Sequence, residues 1–335
     1  MKKQILFLLV TGIIISIFLI PQAIFSAPYY EGKTVRITVG FAPGGGYDRI
    51  ARLLAKHLPK HIPGKPTILV ENMEGASSII AANHIYNLTK PDGLNIGTFN
   101  RGLPFAQLLK TEGVRYDVTK FSWIGSAAVE ATILSIRSDL PYKTVDDLKM
   151  VKEPIPLAGM GPGTSDTQFA ILLKEFAKLN LKLIIYPSSA DGMLAIERKE
   201  VDGRAGSYSS LKPFIERGLV RPMIRGRVSE PGIENLPVNE DLTTDPKGKT
   251  IMAMLASTDG IGRPYVAPPG TPSDIMNILR DAFAKVAKDP ELKEEAKKSR
   301  MEVSYTSGDE CLKVLNNLLN QPSDIVQEFG KYIKF

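Results

Sequence analysis

One cysteine, one tryptophan and three histidines are all this 335-residue sequence offers of those types. With Cys311 alone no internal disulfide can form, and no lipid-bearing cysteine can follow a leader at the N-terminus. His57 and His61 stand four apart, but Pro59 between them breaks the helix that would align them as metal ligands. Zinc would also need a third and a fourth ligand at suitable spacing, and none is evident. No Gly-x-Ser-x-Gly elbow occurs and no histidine lies in a glycine-rich turn, so nothing positions a nucleophile and its base. A net charge of +6 is spread among interspersed acids, with no basic block carrying aromatics, which is no nucleic-acid footprint. No metal, cofactor or nucleic acid is expected.

What stands out instead is Val35-Arg-Ile-Thr-Val-Gly-Phe-Ala-Pro-Gly-Gly-Gly-Tyr-Asp48, followed directly by Arg49-Ile-Ala-Arg-Leu-Leu-Ala-Lys-His57. An apolar strand runs into three glycines, and a helix with Ile50, Leu53, Leu54, His57 and Leu58 on one stripe starts beyond them. The first N–H groups of such a helix lack partners and carry partial positive charge, so the turn can hold an anion. A tight turn with no ligand fits these residues equally well. The dinucleotide fingerprint fails for want of the third glycine and the distant acid, and the loop does not end in Gly-Lys-Ser/Thr.

Met1-Lys2-Lys3, the apolar run Ile5–Ile20 and Pro21-Gln-Ala-Ile-Phe-Ser-Ala27 have the layout of a secretory signal peptide. Cleavage after Ser26 is expected, giving residues 1–26 as the leader; an uncleaved anchor is the alternative. The length of the remainder suits two domains. Strand and helix signals alternate, as in an α/β protein with mainly parallel sheets. A second glycine-rich turn, Gly161-Pro-Gly-Thr-Ser-Asp166, lies about 117 positions after the first, again between a strand and a helix. Two facing α/β lobes would then put a helix start on each side of a cleft, at the carboxyl ends of the strands. The tract from about Glu230 to Thr250 reads as loop, Ser273 or Asp274 as one helix cap, and Ser307 or Asp309 as another.

The run Gly32–Arg52 resembles the opening of the Bug-type extracytoplasmic solute receptors of tripartite tricarboxylate transporters. Leu69-Val-Glu-Asn72 with Gly75-Ala76, Lys90-Pro-Asp-Gly93, Val201-Asp202, Gly218-Leu-Val-Arg221 and Ala267-Pro-Pro-Gly-Thr-Pro272 match further landmarks in order. The resemblance implies a type II periplasmic-binding-protein fold with two lobes, lobe I from residues 27–129 and 259–335 and lobe II from 130–258. Hinges are expected around Ala127–Thr132 and Ser257–Gly262. It implies no enzyme but a monomeric periplasmic receptor that closes over a small carboxylate and passes it to an integral-membrane permease of large and small subunits. A ligand-sensing adaptor for a histidine kinase is the alternative role.

By position, the resemblance assigns ligand contact to Gly44, Gly45, Gly46 and Tyr47 in the first loop and to Gly75, Ala76, Ser77 and Ser78 in the second. Lobe II would add Gly163, Thr164 and Ser165, and the strand-end residues Asn100, Arg101, Ser188 and Ser207 complete the set. Arg101 could pair with a second ligand carboxylate or simply lie at the surface. Asp48 would repel a bound anion and reads as a residue that shapes the turn. The chain departs from the family pattern at Met73-Glu-Gly-Ala-Ser-Ser78, where two glycines become serines, at Tyr186-Pro-Ser188, and at Arg263-Pro-Tyr265, where a tryptophan is usual.

Overall fold

Helix α1 (Gly46–His57) shows how the sequence builds its first lobe. Ile50, Leu53, Leu54 and His57 are buried at helical spacing, Asp48 sits in the first turn and Lys56 in the last, where each complements the helix dipole. A short 3-10 turn containing Pro59 ends it. The computed structural model describes residues 27–335; the expected leader lies outside the described residues.

The first lobe carries β1 (Thr34–Val39), α1, β2 (Thr67–Asn72), α2 (Ile79–Asn87), β3 (Asn95–Thr98), α3 (Leu103–Leu108) and β4 (Ser122–Ser126). The second follows with β5 (Thr132–Arg137), α4 (Val145–Lys149), β6 (Ile155–Gly159), α5 (Ser165–Phe176), β7 (Leu181–Ile185), α6 (Ser189–Glu197), β8 (Gly203–Ser207), α7 (Tyr208–Glu216), β9 (Val220–Arg225) and α8 (Pro246–Ala256). The chain returns through β10 (Pro264–Ala267), α9 (Ser273–Val286), α10 (Pro290–Lys298), β11 (Thr306–Ser307), α11 (Gly308–Leu319) and α12 (Ser323–Tyr332). Two separate sheets result, ordered β11-β4-β10-β3-β1-β2 and β7-β6-β8-β5-β9. Helices cover both faces of each. Val35, Ile37 and Val39 pack on α1 and α9, while Trp123 and Val266 pack on α11 through Cys311 and Leu315.

The sheets are mixed rather than mainly parallel. The β1–β2, β1–β3, β6–β7 and β6–β8 pairs are parallel, but β10 lies antiparallel between β3 and β4, and β5 antiparallel between β8 and β9. These two strands are the ones that carry the chain across between lobes, and a strand entering from the other lobe runs against its neighbours. The stretch read as loop up to Thr250 already contains the start of α8. Asp245 accepts the Lys247 N–H and Pro246 occupies the first helical position, start signals hidden in a Pro- and Asp-rich tract. Pro272, with no capping side chain, precedes α9, so neither Ser273 nor Asp274 caps it; Ser307 does cap α11, in a capping box with Glu310. The last helix, assigned by sequence to lobe I with all of 259–335, packs on lobe II. Phe329 and Ile333 share a core with Leu173, Phe176 and Ile251, and Phe329 also meets Phe105 of α3. Among the described residues no helix is long and apolar enough to cross a membrane.

Two segments cross between the sheets and pair with one another. Ala127 N–H donates to Arg263 O (2.9 Å), Arg263 N–H to Ala128 O (3.3 Å) and Glu130 N–H to Asp259 O (3.1 Å). Beside them Glu230 accepts the Ala131 N–H at 2.9 Å. Burial, with help from Glu130 and Glu302, pushes the Glu230 carboxyl up to about 7, against the Ala131 N–H and Lys212. An acid whose pKa is raised in the folded state holds its proton longer than the unfolded chain does. Its effect on stability is therefore unfavourable as pH rises from about 4.5 through 7. Glu230→Gln, which keeps an acceptor for Ala131, is expected to flatten the fall in stability over that window and to raise the urea midpoint at pH 8. Urea unfolding at half-unit pH steps reads this directly, and parallel curves for the two proteins would refute it.

Candidate functional site

The first glycine turn is held in shape by Asp48. Its carboxylate accepts the Gly44 N–H at 2.8 Å, is paired with Arg52, and takes a hydrogen bond from Asn72, whose amide also reaches Phe41 O. These hydrogen bonds and the Arg52 charge outweigh its burial and hold the carboxyl below its ordinary value. Gly44 has φ +84°, which explains a glycine there. Gly45, at φ −76°, is in an ordinary extended conformation, and Gly46 needs to be glycine for a different reason. A Cβ on Gly46 would stand 2.5 Å from Arg263 Nη2 and 2.6 Å from Ser210 Oγ. Arg49 is the first residue of α1 whose N–H reaches a main-chain acceptor, Gly45 O at 2.9 Å. Among the described residues the amides of Gly46, Tyr47 and Asp48 have none.

Three lobe II helices begin opposite. Thr164 caps α5 by accepting the Thr167 N–H, Ser188 caps α6 by accepting the Asp191 N–H, and Ser207 precedes α7. One narrow cavity of about 60 Å³ lies between them and α1. Its wall is Phe41, Ala42, Gly45, Gly46, Tyr47 and Arg101 from lobe I, Arg263 just before the returning strand β10, and Met160, Thr164, Ser165, Asp166, Pro187, Ser188, Ser189, Ser207 and Ser210 from lobe II. Four helix starts thus face one space, and their aligned peptide dipoles favour negative charge there.

Three buried arginines surround the cavity, each with a carboxylate. Arg101 Nε lies 3.1 Å from Asp259, with Nη2 donating to Thr132 Oγ1 (2.7 Å) and Nη1 to Ser207 Oγ (3.3 Å). Arg263 Nε lies 2.9 Å from Glu130, and its guanidinium stacks 4.2 Å from the centre of the Tyr47 ring, which itself stacks on Phe41. Arg204 Nη2 lies 3.4 Å from Asp166, with Nη1 on Ser189 O and Oγ. Burial works against the charge on Arg101, yet Asp259 and the more distant Tyr47, Asp166 and Glu130 hold its pKa above the ordinary value. Burial pushes the Asp259 carboxyl up to about 6, against the pull of Arg101 and Thr132. The Tyr47 hydroxyl, raised by burial against Arg263 and Arg101, stays neutral, donates to Gly262 O and accepts the Arg101 N–H.

Of the residues singled out from sequence, Gly45, Gly46, Tyr47, Arg101, Thr164, Ser165, Ser188 and Ser207 meet at this cavity. Gly44 supports the turn from behind. The second loop does not line the cavity. Gly75, Ala76, Ser77 and Ser78 form a run of positive φ, and buried Ser78 donates to Gly40 O and accepts the Asn100 N–H. Asn100 and Gly163 also lie outside the lining, joined to each other across the lobes: Asn100 Nδ2 donates to Gly163 O at 2.7 Å. Arg101 is buried, not at the surface. Sequence reasoning left out Phe41, Ala42, Met160, Asp166, Pro187, Ser189, Ser210 and Arg263. Asp166 sat inside the recognised turn; Arg263 is brought in by a strand whose antiparallel insertion has no local signal. His57, Asp289 and Glu291 cluster on the far side of lobe I, where Lys60 Nζ already sits 2.6 and 2.7 Å from the two carboxylates.

Residues 50–331 match the family model for the tripartite tricarboxylate transporter family receptor. A UPF0065 protein of Bordetella pertussis is 26% identical over 312 residues, spanning 91% of this chain and 92% of that one. Among solved structures, the periplasmic binding protein BugD is similar with a TM-score of 0.74 and 22% identity, over 91% of this chain and all (100%) of that one. MatC of Rhodopseudomonas palustris with bound malate has a TM-score of 0.69 at 19% identity, over 88% and 99%. Both have the two-lobed fold of solute-binding proteins.

Proposed function

This chain belongs to the tripartite tricarboxylate transporter receptor family, a family of receptors and not of enzymes, and from that premise we propose that it captures a small carboxylate outside the cytoplasm and presents it to a membrane permease. The observation that carries the reading is the convergence of helix starts from both lobes, with Arg263 and Arg101, on one cavity. A carboxylate there accepts N–H bonds from the first turn of α1 and from the start of α5. Charge-assisted bonds of this kind are the strong ones. Arg263 Nη1 makes no hydrogen bond among the described residues and is free to donate to the same group. Because the ligand touches both lobes only when they are together, it shifts the population toward the closed form. The malate bound by MatC supports the ligand class.

Isothermal calorimetry of the leaderless protein against a panel of mono-, di- and tricarboxylates tests the reading. At least one is expected to bind at micromolar affinity or better and to raise the melting temperature. Folded protein that takes up none of them would overturn it.

A further inference from the structure

We propose that Asp166 sets the ligand class of this site by favouring a carboxylate that also carries an ammonium group. The inference rests on the carboxylate-receptor reading and narrows it. Asp166 lines the cavity from the first turn of α5, with its side chain 15% exposed. A single donor reaches it, Arg204 Nη2 at 3.4 Å from Oδ2, and Oδ1 has no hydrogen-bond partner among the described residues. Arg204 stands behind the wall, outside the lining, and spends its other donors on Ala205 O and on Ser189. The carboxylate is therefore the member of the pair that a ligand meets.

The rest of the wall is arranged differently. Arg101 and Arg263 both line the cavity, while their counter-ions, Asp259 and Glu130, stand behind it. So two guanidinium groups and one carboxylate face the ligand. A ligand with an anionic end for the α1 amides and Arg263, and a cationic donor for Asp166, matches the two groups whose hydrogen-bonding capacity the protein leaves open. Arg101 is already engaged by Asp259, Thr132 and Ser207. A second carboxylate placed against Asp166 would meet like charge in a water-poor space, the kind of repulsive element that gives selectivity. Helix capping does not account for Asp166, because Thr164 already caps α5 and no helix N–H donates to the Asp166 side chain. Neutralising Arg204 is the competing role, and it would be indifferent to the ligand.

Calorimetry with matched pairs separates the two: alanine against propionate, glutamate against glutarate, each with wild type, Asp166→Asn and Asp166→Glu. Wild type is expected to bind the amino acid of at least one pair tenfold or more tightly than its deaminated partner. Asp166→Asn should lose most of that preference, chiefly by weaker binding of the amino acid, and Asp166→Glu should keep the sign of it. Near-equal binding within each pair by wild type, or tighter binding of the deaminated acids, overturns the proposal and leaves the carboxylate reading intact. A uniform loss across both members in Asp166→Asn, with Asp166→Glu behaving alike, reduces the residue to a partner for Arg204 and also overturns it. Silence from all four acids in a wild type that binds another carboxylate of the wider panel overturns the proposal alone, and silence across the whole panel ends both readings together.

Discussion

Asp259→Asn is expected to remove about 3–5 kcal/mol of stability at pH 7.5, the cost of leaving a buried charge without its partner. Arg101 is 2% exposed and Asp259 3%, so water cannot take over the role of the lost carboxylate. The acceptors left near the guanidinium are the amide oxygen of the substituted side chain and the hydroxyls of Thr132 and Ser207, all of them neutral. The location amplifies the effect. Arg101 follows β3 in lobe I, Asp259 lies in one crossing segment, and Thr132 opens the first strand of lobe II, so a single guanidinium ties both lobes to the hinge. Replacing both members, Arg101→Met with Asp259→Leu, is expected to recover most of the stability, since a buried pair is often exchangeable for apolar groups of similar size. Urea denaturation of the three variants supplies the comparison. A loss below about 1 kcal/mol in Asp259→Asn would mean that the pair is solvated and that the lobes are not joined through it.

The contrast between what could and could not be read from the sequence follows the range of the signals. Strand, glycine turn and amphipathic helix are contiguous in Val35–His57 and again around Gly161–Phe176, so both helix starts were legible, as was their meeting across a cleft. Ser78 was not. Its side chain takes the space a Cβ on Gly40 would fill, 2.5 Å from Oγ, and satisfies groups 38 and 22 positions away, which turns the loop inward as a brace. Arg263 and Glu130 are 133 positions apart and meet only because β10 inserts between β3 and β4. The missing family tryptophan near Arg263 was visible, but not that an arginine would line the cavity instead. The destination of α12 was equally hidden, since an amphipathic helix announces that it packs and not upon which lobe.

Gly46→Ala is expected to lower affinity for whichever carboxylate the wild type binds by roughly 10- to 100-fold, the range for losing one hydrogen bond to a charged group. The residue has no need of unusual backbone angles, so the added methyl acts by volume. It would occupy the place of Arg263 Nη2 and Ser210 Oγ, both at about 2.5 Å from the built Cβ. Ser210 Oγ is the end of a short side chain and can turn aside. Arg263 cannot move freely, however, because Glu130 holds its Nε and Tyr47 holds its face. It must swing away from the α1 amides with its ion pair intact. That makes Gly46→Ala a cleaner probe than deleting the arginine, which would strand Glu130 at 1% exposure. Gly45→Ala is the comparison: the nearest atom to its built Cβ is Ala42 O at 3.9 Å, and φ −76° suits alanine, so stability should hold or rise slightly. Calorimetry gives the affinities and urea unfolding the stabilities. Binding by Gly46→Ala within threefold of wild type would show that Arg263 does not touch the ligand, and the anionic end would then rest on main-chain amides alone.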